Sequence, residues 1–253
     1  MNPEIFILGD SHSLTLSRGK EAWEAEGRTA PIKDWAIRYV DNGNVVDLLA
    51  IEMKDGKKIL HPLLDRTLIS LKILNEWSRK NLVADRPHEL ALLFGYVQMH
   101  RICFNPRWAE LSILGSSVTS PKGAIPLELI YETIVEQFSA YALAVRMLKE
   151  MGYNVSLISG PPPVDDISFV NQKLPNFKTI MESESRALCF TALTRAIAGI
   201  ADANAIPFRN FAPLVSDERG FLKREFWGDG IHANATYGKI VLEELARRTA
   251  VAA

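Results

Sequence analysis

The stretch IFILGDSHSLTL occupies residues 5–16 and decides how the rest of the chain is interpreted. Its first four residues are apolar and run directly into Gly9, Asp10, Ser11 and His12. A short apolar run closed by glycine is typical of a buried strand that ends at a sharp turn. Strand ends are where open α/β sheets build their sites, so these polar side chains are candidates for function. The alternative is a helix N-terminus at which Asp10 or Ser11 only caps the following stretch.

Two further apolar runs end in the same way. Residues 89–94 close at Gly95, and residues 154–158 close at Gly160. Between them the apolar spacing predicts one long amphipathic helix over residues 127–151. Short strands that alternate with helices predict an α/β fold, with a mainly parallel sheet and helices on both faces. The carboxyl ends of the three runs would then share one edge of the sheet.

Two segments interrupt this alternation. Residues 35–61 carry two turn signals that flank an apolar run, which predicts a β-hairpin insertion. Residues 104–126 are rich in proline, serine and glycine, which predicts an irregular loop long enough to serve as a lid. The remaining predicted helices cover residues 65–81, 182–203 and a last helix that Asn234 caps. Because no linker or repeat divides the chain, residues 1–253 are predicted to form a single domain.

The composition excludes several classes of protein. With 29 basic and 30 acidic residues the formal net charge is −1, which argues against a nucleic-acid partner. No apolar stretch reaches the roughly 20 residues that span a bilayer, and the N-terminus lacks a secretory pattern, so we expect a cytoplasmic protein without membrane contact. Cys103 and Cys189 lack metal-ligand spacing and are interpreted as buried thiols. No metal or cofactor is expected, and the oligomeric state stays open.

A serine nucleophile needs a base that takes its proton. The chain has five histidines. His12 should leave the backbone in a different direction from Ser11 and is interpreted as a rim or structural residue, whereas His232 follows Asp229 by three positions in a glycine-rich turn. That spacing lets the carboxylate accept the Nδ1 proton and leaves Nε2 facing a nucleophile. The alternative is that Asp229 and His232 only form a turn and a helix cap, since D-x-x-H is a common pattern.

Taken together, Gly9-Asp10-Ser11 after the first strand and Asp229-x-x-His232 before the last helix make this sequence resemble the SGNH, or GDSL-type, hydrolases. The resemblance implies a three-layer, flavodoxin-like SGNH-hydrolase fold. It also implies that Ser11 attacks an acyl carbonyl, that His232 acts as general base and then acid, and that Asp229 orients the imidazole. No metal or organic cofactor takes part in that chemistry.

The oxyanion donors of the family are matched less well. The family uses the serine N–H, a glycine N–H and an asparagine side chain, but Val97 stands at the asparagine position here. Losing one such donor costs about 10²- to 10³-fold in rate. Candidate donors are Ser11, Gly95, Gln98 and His100. Gly43 is a further candidate that is better explained by a hairpin turn.

The resemblance extends to GDSL-like proteins of bacterial polysaccharide clusters, whose Phe-Gly-Glu-Ile-Asp-Cys-Arg stretch also lacks the asparagine. Gln98 falls at the aspartate of that stretch. By analogy we expect a serine esterase that acts on a small-molecule or glycan ester, with Arg101 and Trp227 as candidate substrate contacts. The alternatives are an acyltransferase on a glycan and a non-catalytic module that binds a glycan or a partner.

Overall fold

The computed structural model describes residues 5–28, 36–39, 50–54, 57–61, 89–150 and 152–252. The predicted helix over residues 65–81 lies outside this part of the chain. The strands are β1 (Ile5–Gly9), β2 (Ala36–Tyr39), β3 (Ala50–Lys54), β4 (Lys57–His61), β5 (Glu89–Leu93), β6 (Ser112–Ile113), β7 (Ala124–Ile125), β8 (Asn154–Ile158) and β9 (Phe208–Arg209). The helices are α1 (Ser13–Ala25), α2 (Tyr96–Cys103), α3 (Pro106–Ala109), α4 (Leu127–Gln137), α5 (Ser139–Glu150), α6 (Ile167–Lys173), α7 (Ser183–Ala203), α8 (Ala212–Val215) and α9 (Ala235–Ala252).

Five strands form one parallel sheet in the order β2-β1-β5-β8-β9. The chain runs from β1 outward to the edge strand β2 and then returns to the other side of β1, so the winding reverses between β1 and β5. Right-handed crossovers in both directions put helices on both faces of such a sheet. Accordingly, every residue of β1 and β5 is buried. The predicted α/β fold is confirmed, and the switch point lies beside Ser11.

The first and last helices touch closely at a pair of glycines. A Cβ placed on Gly19 of α1 would lie 2.5 Å from the carbonyl carbon of Gly238 in α9. A Cβ on Gly238 would lie 2.3 Å from the carbonyl oxygen of Thr15. Any larger residue at either position would push the helices apart. This contact brings the two ends of the chain, where Ser11 and His232 lie, to the same corner of the molecule.

The predicted hairpin is narrower than expected. β3 and β4 pair antiparallel within residues 35–61. The beginning of that range is different, because β2 pairs parallel with β1 and therefore belongs to the main sheet. A single four-residue strand such as β2 gives a weak sequence pattern. Because turn signals follow it, the predicted hairpin wrongly included this strand.

The long helix predicted over residues 127–151 is wrong as a single element. It is divided at Phe138 into α4 and α5. The ring of Phe138 is buried beneath Gly95, where it fills the space that a side chain would need. The predicted end is confirmed, because Gly152 has φ +87° and its N–H donates to the carbonyl of Lys149 at 2.9 Å.

Residues 104–126 contain more structure than a loop. Asn105 caps α3, and the short strands β6 and β7 pair in parallel. The segment is also joined to the start of α7, since Ile113 N–H donates to Ser185 Oγ at 3.1 Å and Ser116 Oγ donates to Glu182 at 2.7 Å. Its role as a lid stays a prediction.

Candidate active site

Ser11 lies in the turn between β1 and α1. The N–H of Asp10 donates to the carbonyl of Leu93 at 3.0 Å, which ties this turn to the end of β5. The carbonyls of Asp10 and Ser11 accept the N–H groups of Ser13 and Leu14 at 2.9 and 3.2 Å and begin the helix. Ser11 therefore lies at the carboxyl edge of the sheet, next to the positive end of α1.

His232 lies in a tight turn that its own carboxylate closes. Asp229 Oδ1 accepts the N–H groups of Ile231 and His232 at 3.0 and 2.7 Å, and Asp229 Oδ2 lies 2.9 Å from His232 Nδ1. Gly230 adopts φ +91°, which the turn requires and which glycine tolerates. Both oxygens of Asp229 are thus committed to orienting His232.

The structure brings Ser11, His232 and Asp229 into one hydrogen-bonded row. Ser11 Oγ lies 2.9 Å from His232 Nε2, across 221 positions of sequence. Partial burial of Asp229 raises the pKa of its carboxyl, but the hydrogen bonds and charge of His232 outweigh burial and hold that pKa well below its usual range. An ionised carboxylate at this position favours the Nδ1–H tautomer and leaves Nε2 free to accept the serine proton.

One hydrogen bond joins the two halves of this row, and a helix cap fixes the start of the helix that follows His232. Thr15 Oγ1 in α1 donates to the carbonyl of Ala233 at 3.2 Å. Asn234 Oδ1 accepts the N–H groups of Thr236 and Tyr237 at 3.0 and 3.2 Å, so the predicted helix cap is confirmed. The His232 turn is therefore held between the start of α9 and the first turns of α1.

His12 is a buried structural residue, which is one of the two roles predicted for it, and does not lie on the rim. It is only 3% exposed, and its Nδ1 and N–H both lie 3.0 Å from Asp10 Oδ1. Its ring centroid is 4.9 Å from that of His232. Burial raises the pKa of the Asp10 carboxyl, but the charge and hydrogen bonds of His12 outweigh burial and lower it. Asp10 and His12 therefore form a second Asp–His pair beside the pair of Asp229 and His232. The sequence spacing did not predict this second pair.

His100 in α2 completes a cluster of three imidazoles. Its ring centroid lies 5.5 Å from that of His12 and 6.4 Å from that of His232. Burial, together with the neighbouring imidazoles, lowers the pKa of His100 to about 3. An imidazole with that pKa is neutral near pH 7, so it offers one N–H donor and one acceptor.

Of the other candidate oxyanion donors, the structure describes the main-chain groups of Ser11 and Gly95 but not the side chain of Gln98. Gly95 has φ +96° and stands directly before α2, at the end of β5 beside β1. Within the part of the chain that the structure describes, no acceptor meets the N–H of Ser11 or of Gly95. The side chains of Val97 and Gln98 lie outside the described residues, so the predicted role of Gln98 stays a prediction.

The two candidate substrate contacts differ in their environment. Arg101 is exposed on α2. Trp227 donates its Nε1–H to the carbonyl of Leu222 at 2.7 Å, and its ring packs against Phe169 at 5.0 Å between centroids. Its polar group is therefore used within the protein, which favours a packing role.

One residue of this region was missed at the level of sequence. Arg186 in α7 is 2% exposed and lines a small cavity together with His12 and His100. It follows Glu182 and Glu184 in a polar helix start, which is typical of an exposed segment. No local pattern distinguishes it from a solvated arginine. Cys103 and Cys189 are buried free thiols, as predicted.

Comparison with known proteins supports the fold. No family model matches the chain, and no curated protein matches it by sequence. Its structure is similar to that of a Streptococcus pneumonia protein described in relation to platelet activating factor, with a TM-score of 0.53, 14% identity, and coverage of 98% of this chain and 85% of that one. It is also similar to the aryl esterase of M. smegmatis, with a TM-score of 0.50, 13% identity, and coverage of 98% and 99%.

A third similar structure is Est24, a carbohydrate acetylesterase from Sinorhizobium meliloti, with a TM-score of 0.50, 12% identity, and coverage of 99% and 100%. At this identity the likenesses show a shared fold. The flavodoxin-like fold that the resemblance to SGNH hydrolases implied is therefore confirmed. Among the described residues, no helix has the length and apolar character to cross a bilayer, and no group of histidine, cysteine and acidic side chains is arranged to hold a metal ion.

Proposed function

We propose that this protein is a serine ester hydrolase whose nucleophile is Ser11. The observation that carries the proposal is the 2.9 Å contact between Ser11 Oγ and His232 Nε2, continued by the 2.9 Å contact between His232 Nδ1 and Asp229. A nucleophile, a base and an orienting carboxylate within hydrogen-bond reach are the parts that acyl transfer requires. The fold that this chain shares with esterases adds to the support for ester hydrolysis, although fold alone does not define a reaction.

The reaction proceeds in two halves. Ser11 Oγ attacks the acyl carbonyl carbon while His232 Nε2 takes the hydroxyl proton, and the carbonyl oxygen becomes an oxyanion. As the intermediate collapses, His232 gives that proton to the departing alcohol, which leaves an acyl group on Ser11. Water then attacks the acyl-enzyme with the same proton transfers and releases the acid.

The developing oxyanion needs donors at the carboxyl edge of the sheet. The N–H groups of Ser11 and Gly95 have no acceptor among the described residues, and both follow strands that are neighbours in the sheet. The positive end of α1 adds to the stabilisation of negative charge there. These two groups are the proposed main-chain donors, and His100 is the proposed side-chain donor in place of the absent asparagine.

The proposed substrate is an O-acylated carbohydrate, on the analogy with proteins of polysaccharide clusters. The test is labelling with a fluorophosphonate, followed by peptide mapping, beside turnover of 4-nitrophenyl acetate and acetylated sugars. We expect stoichiometric label on Ser11 that is absent in Ser11→Ala and strongly slowed in His232→Ala. Acyl transfer to an added glycan would indicate a transferase instead. Ligand binding without label or turnover would identify a binding module and contradict the proposal.

A further inference from the structure

A buried guanidinium without a carboxylate partner lies beside the proposed triad. Arg186 donates from Nε to the carbonyl of Met181 at 3.0 Å. Its Nη2 lies 3.4 Å from the carbonyl of Asp165 and 3.2 Å from Ser183 Oγ. All of these partners are neutral oxygens. Among the described residues, Nη1 has no protein partner and no carboxylate lies at ion-pair distance.

The acidic side chains nearest to Arg186 are engaged elsewhere. Glu182 accepts the N–H groups of Glu184 and Ser185 at 2.9 and 2.7 Å at the start of α7. Asp165 pairs through its carboxylate with Arg219 at 2.8 Å. Burying a cation without a counter-ion is costly. The described residues supply no carboxylate for Arg186, so an anionic ligand would stabilise this guanidinium. Desolvation by burial lowers the pKa of Arg186.

Arg186 lines a cavity that also reaches the imidazole cluster. His12 and His100 form part of its wall, and Gly230 and Ile231, which directly precede His232, close another part. The rest of the wall is formed by residues 161–163, which follow β8, and by Tyr96, Met99, Cys103 and Phe104. The centres of water-sized groups can occupy about 20 Å³ of this cavity, which is more than the roughly 10–15 Å³ that one water molecule needs. Only a small end group of a substrate fits there.

The charges around the cavity favour an anion as that group. His12 lines the cavity and contacts Asp10 through Nδ1, and His232 contacts Asp229 through Nδ1. The imidazole of His100 makes no hydrogen bond among the described residues, but its single N–H is already assigned to the oxyanion, so the donor that remains for an anion in this cavity is Arg186 Nη1. A methyl group in this space would leave the guanidinium desolvated and unpaired, whereas a carboxylate would accept from Nη1.

We propose that this cavity binds a carboxylate of the ester substrate and that Arg186 is the residue that holds it. The inference rests on the proposed function, because it assigns part of the substrate of that site. The carboxylate belongs either to the acyl group, as in a half-ester of a dicarboxylic acid, or to the alcohol, as in an acidic sugar. Both sources present the same chemistry to Arg186.

The experiment compares matched charged and neutral esters. For the acyl side, 4-nitrophenyl hemisuccinate is compared with 4-nitrophenyl acetate. For the alcohol side, acetylsalicylate is compared with its methyl ester. In one of the two pairs we expect the wild-type kcat/KM to favour the charged ester by about 10- to 100-fold, the range of a charged hydrogen bond. The pair that shows the preference identifies the source of the carboxylate.

Substitutions of Arg186 then test whether this residue causes the preference for the charged ester. Arg186→Gln should bring the ratio close to one, and Arg186→Lys should retain part of it. Arg195→Gln is the matched control, because Arg195 lies on the same helix but is exposed and paired with Glu128. A ratio near one in both pairs for the wild type, or a ratio that Arg186→Gln leaves unchanged, overturns the proposal.

A further measurement uses only the wild-type protein, so it tests the proposal even if the Arg186 variants do not fold. Succinate or salicylate should slow fluorophosphonate labelling of Ser11, and succinamide or salicylamide should not. Equal effects of acid and amide overturn the proposal. If no ester is hydrolysed and Ser11 is not labelled, the proposed function fails. Calorimetric binding of succinate that is lost in Arg186→Gln would still support the anion site, and its absence would overturn that too.

Discussion

The carboxylate of Asp229 acts on a single ring nitrogen, and its removal is the sharpest test at the scale of one residue. Asp229→Asn keeps the backbone bonds to Oδ1 but replaces the acceptor that faces His232 Nδ1 with an amide that can donate. The wrong tautomer then directs a proton at Ser11 Oγ. We expect kcat/KM for 4-nitrophenyl acetate to fall by about 10²- to 10⁴-fold with little change in stability.

Asp217→Asn is the matched control for that change. Asp217 Oδ1 also accepts two N–H groups in a turn, from Arg219 and Phe221, each at 2.9 Å, but it faces no histidine. Its substitution should leave kcat/KM unchanged. Comparable losses in the two variants would mean that Asp229 only supports its turn.

His100 should make the folded state sensitive to acid. Its pKa is about 3 in the folded protein and 6.5 when unperturbed, so below pH 6.5 the unfolded chain binds a proton that the folded one does not. The free energy of unfolding is therefore not reduced by this group above pH 6.5. It decreases as the pH falls from 6.5 toward 3, by up to about 1.4 kcal/mol per pH unit. The groups that face this imidazole are His12, His232, Asp10 and Asp229.

Urea unfolding at pH 7.5, 5.5 and 4.5 measures this effect. His100→Phe should reduce the loss of stability between the first and last of these values. Asp10 and Asp229 have lowered pKa values and contribute in the same direction only at still lower pH. An unchanged slope in His100→Phe would show that the imidazole is solvated and titrates normally.

At the scale of elements, the start of α2 depends on one glycine. Gly95 has φ +96°, and a Cβ there would lie 2.4 Å from the Phe138 ring. Gly115 has φ +102° and open space around it, so Gly115→Ala measures backbone strain alone, about 1–2 kcal/mol. Gly95→Ala should cost about 1–3 kcal/mol more because of the clash with the ring. Urea unfolding of both variants measures the difference, and equal losses would mean that Phe138 moves freely.

The same contact explains why elements were predictable only in part. Strands β1, β5 and β8 are short apolar runs that end at or shortly before a glycine, and this local pattern located them correctly. The division at Phe138 was not visible, because the periodicity of α4 and α5 is continuous and the break coincides with the contact of that ring with Gly95, forty-three positions upstream. Local patterns report which face of an element is buried but not which residue lies opposite it.

At the scale of the whole molecule, the pairing of Ser11 with His232 was anticipated from two terminal motifs. The close contact of Gly19 with Gly238, which packs the first helix against the last one, was not anticipated, since isolated glycines in helices carry no signal about their partners. The burial of Arg186 was also missed. It is a polar residue in a polar segment, and only the assembled sheet and helices enclose it.

The sheet itself is held together by a buried ion pair away from the site. Glu89, at the amino end of β5, accepts from Nε and Nη2 of Arg209 on the edge strand β9, each at 2.8 Å, and from Ser156 on the strand between them at 2.5 Å. Removing one partner of a buried pair leaves the other charge unpaired, which costs about 3–5 kcal/mol. Glu89→Gln should therefore lower the free energy of unfolding by an amount in that range.

Activity separates this structural role from a role in catalysis. Because Glu89 lies at the end of β5 opposite to the proposed triad, the folded Glu89→Gln protein should keep its kcat/KM for 4-nitrophenyl acetate. Glu128→Gln, which removes one partner of an exposed pair with Arg195, should change neither quantity appreciably. A loss of kcat/KM in Glu89→Gln at full folding would show that the edge strand β9 is coupled to the site. Equal stability losses in the two variants would show that burial adds nothing to the Glu89 pair.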